Sequence, residues 1–293
     1  MQLTVLAPAK INLSLDILSK RPDGYHDVAM VMQSVSLYDT VIVSDEVEDA
    51  FEGNVLVTCD VEGIPTDGRN IVCKAASAFF EYTSIEPKKI SVDIRKKIPS
   101  EAGLAGGSTD AAAVIMALNR IFDTKLTMEQ MCEIGATCGA DVPFCIVGGT
   151  KLAKGIGTTM QKLPAIPKCS IVICKPDVSV STKEAYERSD SRPEKQFVVT
   201  DEVVNMIYKR NLRATCQCLY NDFEAVMQIE EISNIKQAMM KNKALGACMS
   251  GSGSAVFGIF LNEKKAQACI DNMSADFDRI YLCAPTKEGC KIV

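Results

Sequence analysis

A glycine-rich stretch at residues 98–116 carries the residue types that proteins use to bind phosphate. Its glycines are Gly103, Gly106 and Gly107. Glycine has no Cβ atom, so the backbone can turn tightly and lie close to a ligand. Ser108, Thr109 and Asp110 come next and an alanine-rich run follows, a pattern that begins and extends a helix. The free N–H groups of such a helix predict an anion-binding loop, although a turn before a buried helix would have the same composition.

The loop follows neither of the two common nucleotide-binding patterns. A P-loop has lysine after its last glycine, whereas Ser108 follows Gly107 here. The dinucleotide-binding pattern needs a second glycine where this chain has Ala105. The stretch therefore predicts phosphate binding without identifying the phosphate compound.

Composition limits the classes of partner. The 293 residues are enough for two domains, and a net charge of −5 argues against nucleic acid or an anionic membrane as the main partner. The N-terminus lacks a signal-peptide pattern, and the longest apolar run, Ala111–Leu118, is too short to cross a bilayer. We expect a cytoplasmic protein that binds neither nucleic acid nor membrane.

Cysteine and histidine usage argues against a metal centre. The thirteen cysteines are odd in number and form no C-x-x-C pair, and His26 is the single histidine. Zinc sites need clusters of these residues. We expect reduced thiols and no metal bound by them.

Hydrophobic periodicity predicts an α+β fold, because strands and helices mix without a regular βαβ order. Residues 10–17 alternate between apolar and polar types, with Lys10 and Asn12 on the polar face of a strand. Asn70 predicts a helix start, and Thr127 with Gln130 predicts a capping box. Further expectations are strands at 28–35, 39–43 and 144–147, a charged surface loop at 188–195, and a boundary at 163–168 that divides the chain into domains 1–163 and 164–293.

Three motifs in order give the chain a family resemblance. Pro8–Leu13, the glycine-rich stretch, and the Ser-Gly-Ser-Gly loop at 250–253 together resemble the GHMP kinases, the family of galactose, homoserine, mevalonate and phosphomevalonate kinases. The resemblance covers the whole chain. It implies an N-terminal ATP-binding domain, a C-terminal ferredoxin-like domain, and ATP as phosphoryl donor to a small-molecule substrate.

Two further motifs narrow the resemblance. Arg21–His26 and Gly139–Phe144 resemble those of GHMP kinases in the non-mevalonate isoprenoid pathway, which phosphorylate the 2-hydroxyl of cytidine diphosphate methylerythritol. The alternatives are another GHMP kinase of the homoserine or mevalonate type, or a ligand sensor that has lost catalysis. The sequence leaves a monomer and a homodimer equally open.

The resemblance implies roles for individual residues. Asp141 is similar to the family's catalytic base, which a hydroxyl nucleophile needs at neutral pH, although a turn or capping aspartate would look the same. Lys10 is similar to the residue that orients the acceptor hydroxyl and Asp141, although a solvated strand lysine is the alternative. On the acceptor side the implied residues are Asn12, Tyr25, His26, Tyr186, Ser250, Gly251, Ser252 and Gly253.

On the ATP side, the resemblance implies that the backbone around the glycines surrounds the phosphates. The residues are Pro99, Ala102, Gly103, Leu104, Ala105, Gly106, Gly107, Ser108 and Thr109. Asn70 and Lys97 are candidate adenosine or phosphate contacts, and Ser108 is also a candidate ligand of Mg²⁺. Ala105 stands where glycine is frequent, and its methyl group should be tolerated if the residue keeps a negative φ. No acidic residue is assigned to the metal.

Overall fold

The computed structural model describes residues 1–47, 51, 53–191 and 197–293. Its strands are β1 (Gln2–Lys20), β2 (His26–Ser44), β3 (Val55–Cys59), β4 (Ile90–Arg95), β5 (Thr150–Gly155), β6 (Thr159–Lys162), β7 (Ser170–Cys174), β8 (Tyr220–Asn221), β9 (Gly246–Met249), β10 (Val256–Phe260), β11 (Ile280–Cys283) and β12 (Lys291–Ile292). Its helices are α1 (Ile71–Thr83), α2 (Gly106–Ile121), α3 (Met128–Cys138), α4 (Val142–Val147), α5 (Thr182–Asp190), α6 (Val199–Tyr208), α7 (Leu212–Gln217), α8 (Asp222–Met227), α9 (Glu230–Lys241) and α10 (Glu263–Met273).

A large sheet is built on the antiparallel pair β1 and β2. Its strand order is β12-β1-β2-β4-β3, with β5 also bonded to β2 and β8 to β1. The predicted strands at 28–35 and 39–43 are one continuous strand, β2. The register of the pair shifts between Pro8 and Ala9 and again between Asn12 and Ser14, so irregularities of a kind common beside active sites flank Lys10.

Helices α1, α2 and α4 pack on this sheet, and α3 packs on these three helices. Alanines of α2 are completely buried, and their small side chains allow α2 to pack closely beneath its neighbours. The predicted caps are confirmed: the Asn70 side chain accepts a hydrogen bond from Val72 N–H, and Thr127 and Gln130 form the capping box of α3. These caps fix where α1 and α3 begin on either side of the glycine-rich loop.

A second sheet, in the order β11-β7-β10-β9, is antiparallel throughout. Helices α9 and α10 pack on it around buried side chains such as Phe260 and Met239. The α+β prediction is therefore confirmed. The second half of the chain also adds β8 and β12 to the large sheet, both beside β1. Within the described ranges, no helix is long and apolar enough to cross a membrane.

Two local predictions were wrong. Residues 144–147, predicted as a strand, lie in helix α4, because Pro143 occupies the first turn of a helix where a missing N–H is tolerated. The predicted surface loop at 188–195 begins inside α5, which extends to Asp190. Its residues 192–195 lie outside the described residues.

We expect Gly148→Ala to destabilise the fold by about 3 kcal/mol, because it adds both backbone strain and overpacking. Gly148 ends α4 with φ +57°, and a Cβ atom there would lie 2.0 Å from the backbone nitrogen of Gly289. The measurement is the urea unfolding midpoint. Gly68→Ala is the control, since a Cβ atom at Gly68 meets nothing within 4 Å. Equal midpoints for the two variants would contradict this packing.

Candidate active site

The glycine-rich loop reaches its helix in a left-handed backbone conformation. Helix α2 begins at Gly106, not at Ser108, and Ala105 precedes it with φ +60° and no side-chain cap. The negative φ at which the Ala105 methyl group should be tolerated is not adopted, and the left-handed conformation costs a residue with a Cβ roughly 1–2 kcal/mol. Neighbouring strands hold the loop, since Lys10 N–H donates to the Leu104 carbonyl and Ala255 N–H to the Ala102 carbonyl.

A cavity of about 420 Å³ lies on one side of this loop, a size typical of small-molecule sites. We call it the loop cavity. It is lined by Ile64, Pro65, Arg69, Asn70, Ile71, Lys96, Ile98, Pro99, Ser100, Glu101, Ala102, Gly103, Leu104, Ala105, Gly106, Gly107 and Asp110. Most of the residues predicted on the ATP side therefore surround one space.

Three residues predicted on the ATP side, Lys97, Ser108 and Thr109, do not line the loop cavity. Lys97 is exposed and outside the lining of the loop cavity, whereas its neighbour Lys96 belongs to it. Thr109 is fully buried, with its hydroxyl 3.5 Å from the sulfur of Cys290. The Thr109 side chain therefore packs in the interior beneath α2, while Ser108 lines the cavity on the other side of the loop.

Sequence reasoning missed a buried charge cluster beside the loop cavity. The Lys96 ammonium lies between the carboxylates of Asp39 and Asp110, and all three side chains are at most 7% exposed. Asp39 also accepts hydrogen bonds from the backbone N–H groups of Lys97 and Ile98, which fixes the entry to the glycine-rich loop. Lys96 is 57 positions from Asp39 and 14 positions from Asp110, so no local motif marks the cluster.

One carboxylate oxygen of this cluster has no partner. Asp110 Oδ2 pairs with Lys96 at 2.6 Å, whereas its Oδ1 is buried and has no hydrogen-bond partner within the described ranges. Burial raises the pKa of Asp110 to about 8, against the lowering effect of Lys96. The surroundings of Asp110 therefore favour its protonated form.

Lys10 and Asp141 lie close together in the lining of a second cavity. The Lys10 ammonium is 3.7 Å from Asp141 Oδ2 and 2.8 Å from Asn12 Oδ1. Lys10 is buried, while the Asp141 side chain is 31% exposed. Asp141 precedes α4 but makes no side-chain capping bond, so its carboxylate is not occupied as the capping alternative requires. The strand alternative for Lys10 fails as well, since the side chain is not solvated.

The second cavity, which we call the Lys10 cavity, also has a volume of about 420 Å³. It is lined by Lys10, Leu15, Val28, Met30, Gly103, Ala105, Ser108, Ala140, Asp141, Ile156, Thr182, Tyr186, Phe223, Gly251 and Ser252. Gly103 and Ala105 line both cavities. The glycine-rich loop is thus the wall between them.

The Ser-Gly-Ser-Gly loop packs directly on the glycine-rich loop. The fully buried Ser250 donates its hydroxyl to the carbonyl of Gly103, and a Cβ atom at Gly103 would lie 1.9 Å from the Ser250 carbonyl oxygen. Gly251 and Ser252 line the Lys10 cavity, while Ser250 and Gly253 lie behind it. Asn12 also lies behind the wall, completely buried beneath Lys10.

The predicted base-recognition residues form a cluster at the edge of the site. His26 begins β2 and is buried, with its ring stacked on Tyr186 at 4.3 Å between centroids. Its Nε2 lies 2.6 Å from Asp190, a residue that sequence reasoning missed and that also pairs with Lys20. Tyr25 is 64% exposed. Among the three aromatic rings, Tyr186 lines the Lys10 cavity.

The family model for the GHMP kinases N terminal domain matches residues 70–149, which contain the glycine-rich loop and Asp141. The model for the GHMP kinases C terminal domain matches residues 207–279, which contain the Ser-Gly-Ser-Gly loop. The chain belongs to the GHMP kinase family. It is accordingly an ATP-dependent small-molecule kinase, and the family resemblance of the sequence motifs is confirmed.

Individual relatives agree with this family. The chain is 44% identical over 278 residues to the 4-diphosphocytidyl-2-C-methyl-D-erythritol kinase of Caldicellulosiruptor saccharolyticus, covering 94% of each chain. It is 40% identical to the enzyme of that name from Clostridioides difficile, covering 97% of this chain and 95% of the relative. A crystal structure of 4-(cytidine 5'-diphospho)-2C-methyl-D-erythritol kinase matches with a TM-score of 0.78 at 27% identity, covering 97% of this chain and 99% of that one.

The fold alone does not distinguish acceptors within the family. A homoserine kinase structure from Cytophaga hutchinsonii matches with a TM-score of 0.79 at 21% identity, covering 100% of this chain and 97% of that one. The shared fold therefore does not identify the acceptor of this chain.

We expect Asp110→Asn to change the pH dependence of stability. The pKa of Asp110 rises from 3.8 to about 8 on folding, so the stability that its proton contributes is lost as the pH rises between these values. Asparagine does not titrate, so the variant does not lose stability at this position as the pH rises. Its free energy of unfolding relative to wild type should increase by at least about 1 kcal/mol from pH 5 to pH 8, measured by urea titration. Exposed Asp123→Asn is the control; an equal difference at both pH values would contradict the prediction.

Proposed function

We propose that the chain transfers the γ-phosphoryl group of ATP to the 2-hydroxyl of 4-(cytidine 5'-diphospho)-2-C-methyl-D-erythritol in isoprenoid precursor synthesis. The observation that carries the proposal is the proximity of Lys10 to Asp141, whose side chain makes no helix-capping bond, in the Lys10 cavity. The names of full-length relatives at 40% and 44% identity support this acceptor.

Asp141 and Lys10 divide the chemistry between a base and an electrostatic partner. Asp141 accepts the proton of the acceptor hydroxyl as that oxygen attacks the γ-phosphorus. The Lys10 ammonium orients the hydroxyl and neutralises charge that develops on the transferred group, which is the main protein contribution to phosphoryl transfer. Because Lys10 is held by Asn12 and is 3.7 Å from Asp141, the carboxylate keeps lone pairs for the substrate proton.

The donor lies in the loop cavity in this proposal. Backbone N–H groups at the start of α2 provide positive potential for the phosphates. The site fits Mg²⁺, since an oxygen donor, the Ser108 hydroxyl, lines the cavity where the phosphates would emerge and Mg²⁺ accepts few protein ligands beside phosphate and water. When bound, the ion neutralises phosphate charge.

The acceptor lies in the Lys10 cavity, with its base toward the cluster of Tyr186, His26 and Tyr25. An aromatic ring contributes roughly 1–3 kcal/mol by stacking on a base. The Ser-Gly-Ser-Gly loop would lie along the diphosphate, where small residues allow backbone approach. The proposal includes a cytoplasmic enzyme, monomeric or homodimeric, whose two domains meet near residues 163–164.

A panel of acceptors tests the function directly. ATP consumption is followed in a coupled assay with the methylerythritol nucleotide, mevalonate, phosphomevalonate, homoserine and galactose. Turnover should be limited to the cytidine nucleotide. Preferential phosphorylation of homoserine or mevalonate would replace the proposed acceptor while keeping the kinase activity.

We expect Lys10→Ala and Asp141→Asn each to lower kcat by a factor on the order of 10²–10⁴, the range for lost acid–base or electrostatic help. ATP affinity should stay within about twofold, because neither side chain lines the loop cavity. Steady-state kinetics and nucleotide titration provide the two measurements. A near-normal kcat in Asp141→Asn would show that Asp141 is not the catalytic base. The matched control is Asp123→Asn, at an exposed position.

We expect His26→Ala to raise the KM for the cytidine substrate about tenfold or more, since one lost contact to a polar base edge is typically worth 1.4 kcal/mol or more. The KM for ATP should change little. His26 is clamped by Tyr186 and Asp190, so its loss would disturb only this edge of the site. Equal increases in both KM values would show that His26 does not recognise the base.

A further inference from the structure

Asn221 is buried in the second half of the chain and bonds to the Ser-Gly-Ser-Gly loop. Its Nδ2 donates to the carbonyl oxygens of Met249 and Gly251, each at 2.8 Å. Its Oδ1 accepts from Phe223 N–H at 2.9 Å, which caps α8. The residue is 3% exposed and lies on β8, opposite Leu15 of β1. A single side chain therefore ties β8, α8 and the loop together.

The hydrogen-bond partners determine the orientation of this amide. Two carbonyl oxygens face its nitrogen and one N–H group faces its oxygen. A rotated amide would place oxygen against oxygen at two contacts, so the network allows one orientation only. Asn221 therefore acts on the loop as a donor of two hydrogen bonds.

Gly251 transmits the position of the loop to the catalytic lysine. Its N–H donates to Asn12 Oδ1 at 3.0 Å, and the same oxygen accepts from the Lys10 ammonium at 2.8 Å. These two bonds use both lone pairs of Oδ1. A Cβ atom on Gly251 would lie 3.1 Å from the Lys10 nitrogen, so a side chain at this position would crowd the ammonium group.

From these contacts we propose that Asn221 is a positioning residue for phosphoryl transfer. It holds the Gly251 peptide so that its N–H meets Asn12, and Asn12 then holds Lys10 at its distance from Asp141. Lys10 and Asn12 belong to β1, while Asn221 and Gly251 belong to the second half of the chain. The catalytic lysine is thus placed by both halves together. The kinetic part of this inference rests on the proposed function.

Asn221→Asp is the discriminating variant, because it is nearly isosteric and keeps the cap. Aspartate Oδ1 can still accept from Phe223 N–H, since aspartate is a good N-cap residue. The other carboxylate oxygen replaces the donor and faces two carbonyl oxygens. Both hydrogen bonds to Met249 and Gly251, which together we call the tether, are then lost.

We expect Asn221→Asp to lower kcat about 10- to 100-fold, because a misplaced catalytic group has effects of this size. The KM for ATP should stay within about twofold, since Asn221 does not line the loop cavity. Asn211→Asp is the matched control: Asn211 caps α7 through its side-chain oxygen, with no bond to either loop. A wild-type kcat in Asn221→Asp would overturn the proposal.

A double-mutant cycle distinguishes positioning from a general structural role. If Asn221 acts through Asn12, then Asn221→Asp should lower kcat less than about threefold in an Asn12→Ala background, because coupled residues are not additive. Thermal unfolding of each variant shows whether the fold is retained. Full additivity of the two kcat effects would also overturn the proposal.

Hydrogen exchange tests the tether without any substrate. The Gly251 amide should exchange faster in Asn221→Asp than in wild type or Asn211→Asp, since its bond to Asn12 is released. Unchanged exchange at Gly251 would contradict the tether. If the wild-type chain phosphorylates no cytidine diphosphate acceptor, the proposed function fails, whereas the exchange comparison still decides whether Asn221 holds the loop.

Discussion

The backbone contact between Gly103 and Ser250 is the constraint on which the site depends. A Cβ atom at Gly103 would lie 1.9 Å from the Ser250 carbonyl oxygen, and one at Gly251 would lie 2.9 Å from the Gly103 carbonyl oxygen. Only glycine permits this approach, because any side chain would separate the two loops. The contact joins the two halves of the chain and places the loop cavity and the Lys10 cavity on opposite sides of one thin wall.

Two buried lysines serve the two sides of this wall in different ways. A buried ammonium group needs partners that offset its lost hydration. Lys96 lies between two carboxylates, which anchor it as part of the loop's support. Lys10 has an amide oxygen as its near partner and a carboxylate at 3.7 Å. The Asp141 carboxylate therefore lacks the short ion pair that the two carboxylates near Lys96 form.

Lys10 with Asp141 and the stacked pair of His26 with Tyr186 form two separate groups of side chains. Lys10, Asp141 and Tyr186 line the Lys10 cavity, while His26 stacks on Tyr186 and contacts Asp190. Helix α5 carries both Tyr186 and Asp190, so the second half of the chain contributes to the aromatic group, whereas His26 comes from β2.

The sequence determined the family and the α+β class, and it predicted the proximity of Lys10 to Asp141 and most of the lining of the loop cavity. These features depend on local patterns: glycine spacing, strand alternation and helix caps. Tertiary structure decided what depends on distant partners. Asp39, Asp110 and Lys96 meet across separate elements, and Asn221 reaches Asn12 only through a loop thirty residues away. The left-handed conformation of Ala105 likewise depends on distant residues, because the loop around it is held by hydrogen bonds from Lys10 and Ala255.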